Sequence, residues 1–437
     1  MKISVFGLGY VGTISSGCLA NDGHEVIGVD PSKTKVDLIN KGMPSIIEKD
    51  IGEMIAGCVS NGLLSASQDI NSAVSGSEIS MICVGTPSQM NGSLDLGYVK
   101  TVCEEIGAAL KEKDDFHIIL VRSTMLPGTM NNVVIPALEE FSGKKAGADF
   151  GVCHNPEFLR EGTAVFDYYH PPITVIGESD TRAGDVLEEI YGGLAASLIR
   201  TDIETAEMVK YTANVWHALK VSFANEIGNI CKKVGIDGQD VMNIFGQDTK
   251  LNLSFNYMNP GFAFGGACLP KDVRALAYKA RTLDIDVPVI SSIMHSNERQ
   301  VKTGLSMITE KRNKKVGFLG FSFKAGTDDL RESPMVEVIE SLLGKGYDIR
   351  LYDRNVKVAS LIGANKNYIL NTIPHISSLM VDSIETVLEH AETIVIGNNS
   401  EEFRDILSMT KDNQVVVDLV RISSQRSVKG KYDGICW

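Results

Sequence analysis

Hydrophobic and polar positions alternate along the chain in a repeating order of short apolar runs and longer helical patterns. Lys2 to Phe6 is a strand run, a helical stretch follows to Asn21, and His24 to Asp30 reads as a second strand, which together make a βαβ unit. Strand runs recur at Ile79 to Val84, Phe116 to Val121, Phe150 to Cys153 and Thr174 to Ile176, with helical patterns between the early ones. This order predicts a doubly wound parallel sheet. The pattern returns late in the chain, with Lys315 to Leu319 and Ile349 to Asp353 as strands. Asp382 to Val387 leading into Thr393 to Gly397 parallels Asp69 to Val74 leading into Met81 to Gly85. Between the halves, Glu204 to Val234 is a helical segment of about thirty residues ahead of Gly235, long enough to join two domains. The predicted fold class is therefore α/β, with two Rossmann-like doubly wound parallel-sheet domains joined by a long central helix. The expected divisions are 1–202, 203–300 and 301–437.

Composition narrows the class. At 437 residues the chain is too long for one ordinary core, and 43% hydrophobic with 22% charged residues is a globular mixture. Glycines interrupt the first apolar stretch and no run of eighteen apolar residues occurs, so neither secretion nor a membrane span is expected. Eight scattered cysteines without a CxxC pair indicate no disulfide framework and no metal site, and fit a reducing cytoplasm. A net charge of −13 speaks against a nucleic-acid surface.

Four places carry candidate chemistry. The first βα turn reads Gly7-Leu-Gly9-Tyr-Val-Gly12. In a dinucleotide fingerprint the first glycine allows the tight turn, the second lets backbone approach a pyrophosphate, and the third lets helix and strand pack closely. Asp30, ending the second strand, would accept from ribose hydroxyls and repel a 2′-phosphate, which favours NAD over NADP. The bland alternative is a glycine-rich helix entry that binds nothing. Further strand ends carry Gly85-Thr86-Pro87, Arg122-Ser-Thr124 and Asn155-Pro-Glu157, where ligands of such sheets lie. On the central helix Lys210, Asn214, His217 and Asn225 fall within roughly 80° of one another at about 100° per residue. That stripe is either a solvated face or one turned toward a ligand. Finally, Cys268 sits on the glycine-rich loop Gly265-Gly-Ala-Cys268 beside Lys271 and Asp272, placed for access and thiolate stabilisation, whereas Cys18, Cys83, Cys103 and Cys231 lie in apolar patterns. A thiol in a dinucleotide-binding protein suits aldehyde oxidation through a thiohemiacetal and a thioester. Glu157 and Glu161, four apart, share a face if a helix starts there, and a carboxylate of raised pKa would activate water to hydrolyse the thioester. Arg331 either binds a phosphate or pairs with Asp328. Lys324 occupies the phosphate side of the later turn.

These stretches, with GLGYVG at 7–12, NPEFLRE at 155–161, KYTANVWHALKVSFANEIGN at 210–229, GFAFGGACLPKD at 261–272 and FKAGTDDLRESP at 323–334, resemble the UDP-glucose/GDP-mannose dehydrogenases, most of all the GDP-mannose branch. The likeness runs over the whole chain. It implies a four-electron oxidation at carbon 6 of GDP-mannose to an alginate precursor, with two NAD reduced per sugar. Cys268 would be the nucleophile, Lys210 and Asn214 would hold the reacting oxygen, Glu157 would be the base, and Thr124 with Asp272 would place water. NAD contacts would come from Tyr10, Val11, Asp30, Lys35, Thr86, Thr124, Lys271 and Arg331. Nucleotide-sugar contacts would come from Glu161, Lys210, Asn214, His217, Asn225, Tyr257, Phe262, Gly265 and Lys324. The resemblance further implies a homodimer or tetramer built on the central helix, with shared active sites. Where GDP-mannose members carry an aromatic and an arginine this chain has Asn256 and Asn259, and where a serine precedes the cysteine it has Ala267, which leaves nucleotide recognition open. UDP-sugar oxidation, two-electron hydroxyacid oxidation and NAD sensing without turnover are the alternatives.

Overall fold

The structure, a computed structural model, describes residues 1–250, 252, 254, 256–356, 374–422 and 431–437. It consists of two compact units, Met1–Ala213 and Asn214–Trp437.

In the first unit the strands are β1 (Lys2–Phe6), β2 (Glu25–Val29), β3 (Leu64–Ser67), β4 (Ile79–Ile82), β5 (His117–Val121), β6 (Phe150–His154), β7 (Thr174–Glu178) and β8 (Leu198–Thr201). They form one sheet in the order β3-β2-β1-β4-β5-β6-β7-β8. The helices between them are α1 (Tyr10–Asn21), α2 (Lys33–Asn40), α3 (Ile51–Ser60), α4 (Ile70–Ser75), α5 (Gly97–Leu110), α6 (Ile135–Ser142), α7 (Ala164–Tyr169) and α8 (Thr181–Tyr191). The central strands read as near-continuous apolar runs, interrupted in β1 and β4 by the buried Ser4 and Ser80, because both faces are covered. Ile3, Val5, Leu120 and Cys153 pack on one side with α1 and α3, and Phe6, Ile119, Val121 and Val152 pack on the other with α5 and α6.

One pairing departs from the expected parallel sheet. β6 and β7 are antiparallel, joined through Cys153↔Glu178 and His154↔Gly177. The connecting segment holds only the six-residue α7. A strand antiparallel to its neighbour starts at the end of the sheet where that neighbour leaves off. The chain therefore re-enters from the same end.

Helix α9 (Ile203–Lys233) is 31 residues long and runs from the first unit into the second. Its polar stripe faces inward: Lys210, Asn214 and Asn225 are buried. Its outward face carries Met208, Trp216, Phe223 and Ile230, between 40% and 61% exposed. Lys210, Asn214 and Asn225 are therefore not a solvated stripe; they are buried like Ala206, Tyr211, Val215, Ala218 and Ala224 of the same helix.

The second unit continues with α10 (Gly238–Phe245), α11 (Leu269–Thr282), α12 (Pro288–Glu310) and α13 (Pro334–Gly344). Its sheet of β9 (Lys315–Leu319), β10 (Asp348–Tyr352), β11 (Thr393–Ile396), β12 (Val415–Asp418) and β13 (Lys431–Gly434) is parallel throughout, in the order β10-β9-β11-β12-β13. That order matches β2-β1-β4-β5-β6 and bears out the second Rossmann-like sheet. No helix among the described residues is long and apolar enough to cross a membrane.

Candidate active site

The fingerprint turn has the geometry its glycines imply. Gly7 stands at φ +94°, and a Cβ on Gly12 would lie 1.8 Å from the Gly7 carbonyl oxygen, so α1 and β1 approach too closely for any side chain there. Around Gly9 a Cβ would meet nothing within 4 Å, and Gly9 caps α1, whose first turn holds no acidic residue. An open, cation-like helix entry of this kind fits a pyrophosphate. Asp30 is buried, and its carboxylate accepts from the Leu8 N–H and the Ser32 N–H, both at 2.9 Å, and from Lys35 Nζ at 2.8 Å. An ionised carboxylate offers about four acceptor positions, so these contacts leave it capacity for a ribose hydroxyl. Beside the turn, Val11 packs against the core and the Thr86 hydroxyl donates to the Thr124 carbonyl at 2.7 Å, bringing two expected cofactor contacts together.

Glu157 lies beyond β6 in extended chain, and residues 155–160 form no helix, contrary to the expected helix start. Pro156 has no N–H, and the N–H groups of Leu159 and Arg160 donate to the Glu157 and Asp167 carboxylates rather than to backbone carbonyls. Glu157 and Glu161 therefore share no helical face. Glu157 pairs with Lys210 at 2.9 Å, and Lys210 also donates to the Glu157 carbonyl at 2.6 Å. Burial pushes the Glu157 carboxyl up, but the Lys210 ammonium, its hydrogen bond, the Leu159 N–H and Arg122 outweigh burial and hold it below its ordinary value. The expected raised pKa is thus reversed, because the neighbouring cation counts for more than desolvation. A cavity of about 30 Å³ adjoins it, lined by Arg122, Asn155, Tyr168 and Tyr191 among others. Arg122 is buried and donates to Asn155 Oδ1 and, at 3.0 Å, to the Tyr191 hydroxyl.

Reasoning from sequence missed Glu207, one turn before Lys210 on α9. Its fully buried carboxylate accepts from the Gly128 N–H at 2.8 Å and the Met130 N–H at 3.0 Å, holding the segment that follows Thr124. Burial raises its pKa to about 7 against the opposing pull of those N–H groups.

Within the second unit, Asn214 Nδ2 donates to Asp272 Oδ2 at 2.5 Å and Lys271 Nζ to Asp272 Oδ1 at 2.6 Å. Cys268 precedes α11, and its carbonyl accepts the Asp272 N–H at 2.9 Å. Of the eight cysteines, Cys268 alone is exposed. The glycines of its loop admit close approach: a Cβ on Gly265 would lie 2.4 Å from the Glu332 carbonyl oxygen, and one on Gly266, at φ +84°, would lie 2.9 Å from the Phe323 ring. The structure thus packs the cysteine loop against the segment bearing Lys324 and Arg331, and Arg274 ties them by an ion pair to Glu332. Arg331 forms a bidentate pair with Asp329, at 2.9 and 2.7 Å. Asn225 holds the same loop from α9, accepting from the Gly261 N–H at 2.9 Å and donating to the Phe262 carbonyl at 3.2 Å. His217 stacks on Tyr257 with centroids 4.4 Å apart, and Lys220, buried and also missed from sequence, stands over the same ring. Tyr257 adopts φ +67°, while Asn256 and Asn259 are exposed.

A dinucleotide cradle on one sheet, a second sheet of the same topology, and an exposed thiol beside a Lys/Asp pair define a nicotinamide-dependent dehydrogenase. The chain belongs to the UDP-glucose/GDP-mannose dehydrogenase family: the model of its NAD binding domain matches residues 1–195, that of its central domain residues 204–299, and that of its UDP binding domain residues 317–425. NAD is accordingly the cofactor. The chain is 56% identical to the GDP-mannose 6-dehydrogenase of Pseudomonas aeruginosa over 100% of both chains. A crystal structure of a ternary complex of the GDP-mannose dehydrogenase from that organism matches with a TM-score of 0.58 over 100% of both chains. A UDP-glucose dehydrogenase from Pyrobaculum islandicum, 32% identical, matches with a TM-score of 0.91 over 100% of this chain and 98% of the other.

Proposed function

We propose that the chain oxidises carbon 6 of GDP-mannose from alcohol to carboxylate at the expense of two NAD, yielding GDP-mannuronate, a precursor of alginate, in the cytoplasm. The observation that carries this reading is the exposed Cys268 at the head of α11, three residues before Lys271 and four before the buried Asp272. Full-length identity above one half with a GDP-mannose 6-dehydrogenase supports the sugar.

NAD, when bound, would supply the hydride acceptor for each oxidation. Tyr10, Val11, Asp30, Lys35, Thr86, Thr124, Lys271 and Arg331 hold it. Lys210 and Asn214 donate to the reacting oxygen at carbon 6. The Cys268 thiolate adds to the aldehyde carbon, and oxidation of the resulting thiohemiacetal leaves a thioester. Thr124 and Asp272 place a water, Glu157 removes its proton as it attacks, and the thiolate leaves. The depressed resting pKa of Glu157 suits this sequence. When Lys210 turns to the substrate oxygen, the carboxylate loses part of its stabilisation and becomes a stronger base. Glu161, His217, Asn225, Tyr257, Phe262, Gly265 and Lys324 hold the nucleotide sugar. The division into 1–202, 203–300 and 301–437 follows these tasks. A second copy of the chain covers the exposed apolar face of α9, giving a homodimer or tetramer with shared sites.

A UDP-sugar is the second reading, favoured by the description of the third matched domain as UDP binding and by Asn256 and Asn259. Reduction of NAD with GDP-mannose, UDP-glucose and UDP-N-acetylmannosamine in parallel decides between them. GDP-mannose is expected to be turned over and the UDP-sugars not. Cys268→Ala is expected to lose a thousandfold or more, on the order of what a nucleophile contributes. Unchanged turnover in that variant would remove the thiol from the mechanism.

A further inference from the structure

The segment between α2 and α3 is tied to the fingerprint turn at two residues. The Ser45 hydroxyl donates to the Leu8 carbonyl at 3.0 Å and shares a hydrogen bond of 2.8 Å with the Thr13 hydroxyl. The Tyr10 hydroxyl donates to Glu48 Oε2 in a short hydrogen bond. The same oxygen accepts the Gly162 N–H at 2.7 Å. One carboxylate oxygen therefore joins the turn that opens α1 to the residue immediately after Glu161.

The far side of this joint is stiff. Asp167 accepts from the Arg160 N–H at 3.0 Å, from the Arg160 guanidinium at 3.0 and 2.6 Å, and from the Thr163 hydroxyl at 2.9 Å. Gly162, between those anchors, stands at φ +86°. A displacement of Glu48 is passed to Glu161 rather than absorbed within the segment. The near side is equally defined, because burial and the Glu48 carboxylate hold the Tyr10 phenol protonated, well above its ordinary value, so it remains a donor at every working pH.

We propose that Glu48 is a positioning residue that couples the two ligands, so that cofactor packed on Tyr10 orders Glu161 for the nucleotide sugar, and the sugar in turn favours the cofactor. The inference rests on the reading above, in which Tyr10 contacts NAD and Glu161 contacts the sugar nucleotide. Coupling of this kind is reciprocal: each ligand must tighten the other by the same factor.

Calorimetric titration with NADH, which permits no turnover, and GDP-mannose measures that factor in the full chain. In the unmodified protein, saturating NADH is expected to tighten GDP-mannose about fivefold or more, and saturating GDP-mannose to tighten NADH equally. Glu48→Ala and Tyr10→Phe should each bring the factor below about twofold, and Glu48→Gln, which keeps an acceptor oxygen in place, should restore it. A merely structural role would weaken both single-ligand affinities and leave their ratio alone. A ratio unchanged in Glu48→Ala, or a ratio of one in the unmodified protein, overturns the coupling. Failure of the underlying reading shows elsewhere: the unmodified protein would bind neither ligand, or Glu161→Gln would bind GDP-mannose undiminished, and the inference would fall with it.

Discussion

The two sheets share their strand order yet treat the first turn differently. In the first unit α1 begins three residues after Gly7, so its N-terminal N–H groups sit at the turn itself. In the second, α13 begins at Pro334, fourteen residues after Gly320, and has Glu337 in its first turn. The acid that ends the second strand differs as well. Asp30 meets two N–H groups and Lys35. Asp353 meets the Phe321 N–H, the Ser322 N–H and hydroxyl and the Asn398 amide, all on one oxygen, with Asn355 N–H on the other. One topology thus yields an anion cradle when the helix follows at once, and an internally closed corner when a loop and an asparagine intervene. Lys324, proposed above to hold the nucleotide sugar, lies on that loop.

Substitutions at matched places break or sharpen this contrast. The largest effect is expected from the close glycines. Gly12→Ala puts a methyl 1.8 Å from the Gly7 oxygen, and Gly397→Ala puts one 2.3 Å from the Gly320 oxygen. Each should cost on the order of 3 kcal/mol in urea unfolding. Only Gly12→Ala should also abolish NADH binding in a fluorescence titration, with Gly397→Ala within about twofold of the unmodified protein once folded. Next come the two acids. Asp353→Asn leaves buried donors facing an amide and should destabilise by about 1–3 kcal/mol without raising KM for NAD. Asp30→Asn should raise that KM about tenfold, roughly the worth of 1.4 kcal/mol, and narrow the preference over NADP. Equal effects of the two on KM would remove the distinction between the turns.

The last effect concerns pH. Glu207 titrates near 7 in the folded chain against about 4.5 when unfolded, so the folded state binds the extra proton between those values. Its contribution to stability therefore falls as pH rises from about 4.5 to 7 and is level above. Glu207→Gln should lose that slope, and its melting temperature should gain on the unmodified protein across the same window. Parallel melting curves for the two proteins from pH 5 to about 8 would contradict the titration.

Much of this was legible in the chain. β1 and β9 occupy the runs read from the pattern, α9 covers the expected thirty residues, and the second sheet repeats the first. These features are local, set by period and by glycine placement. What escaped is tertiary. Glu48 acts on Tyr10 and Gly162, Glu207 on Gly128 and Met130, and no periodicity joins residues that far apart. Sequence spacing suggested a helix at 155–161, but donors there turn to side chains supplied by Asp167 and by Glu157 itself. The stripe on α9 was visible as a pattern, while its direction was decided only by what packs on it. The pKa of Glu157 likewise depends on Lys210, fifty-three positions away.

Counting NADH per sugar tests the account most directly. With limiting GDP-mannose, excess NAD and the reaction run to completion, two NADH per GDP-mannose with a carboxylate product are expected, and one NADH per sugar with an aldehyde product would contradict the double oxidation through Cys268.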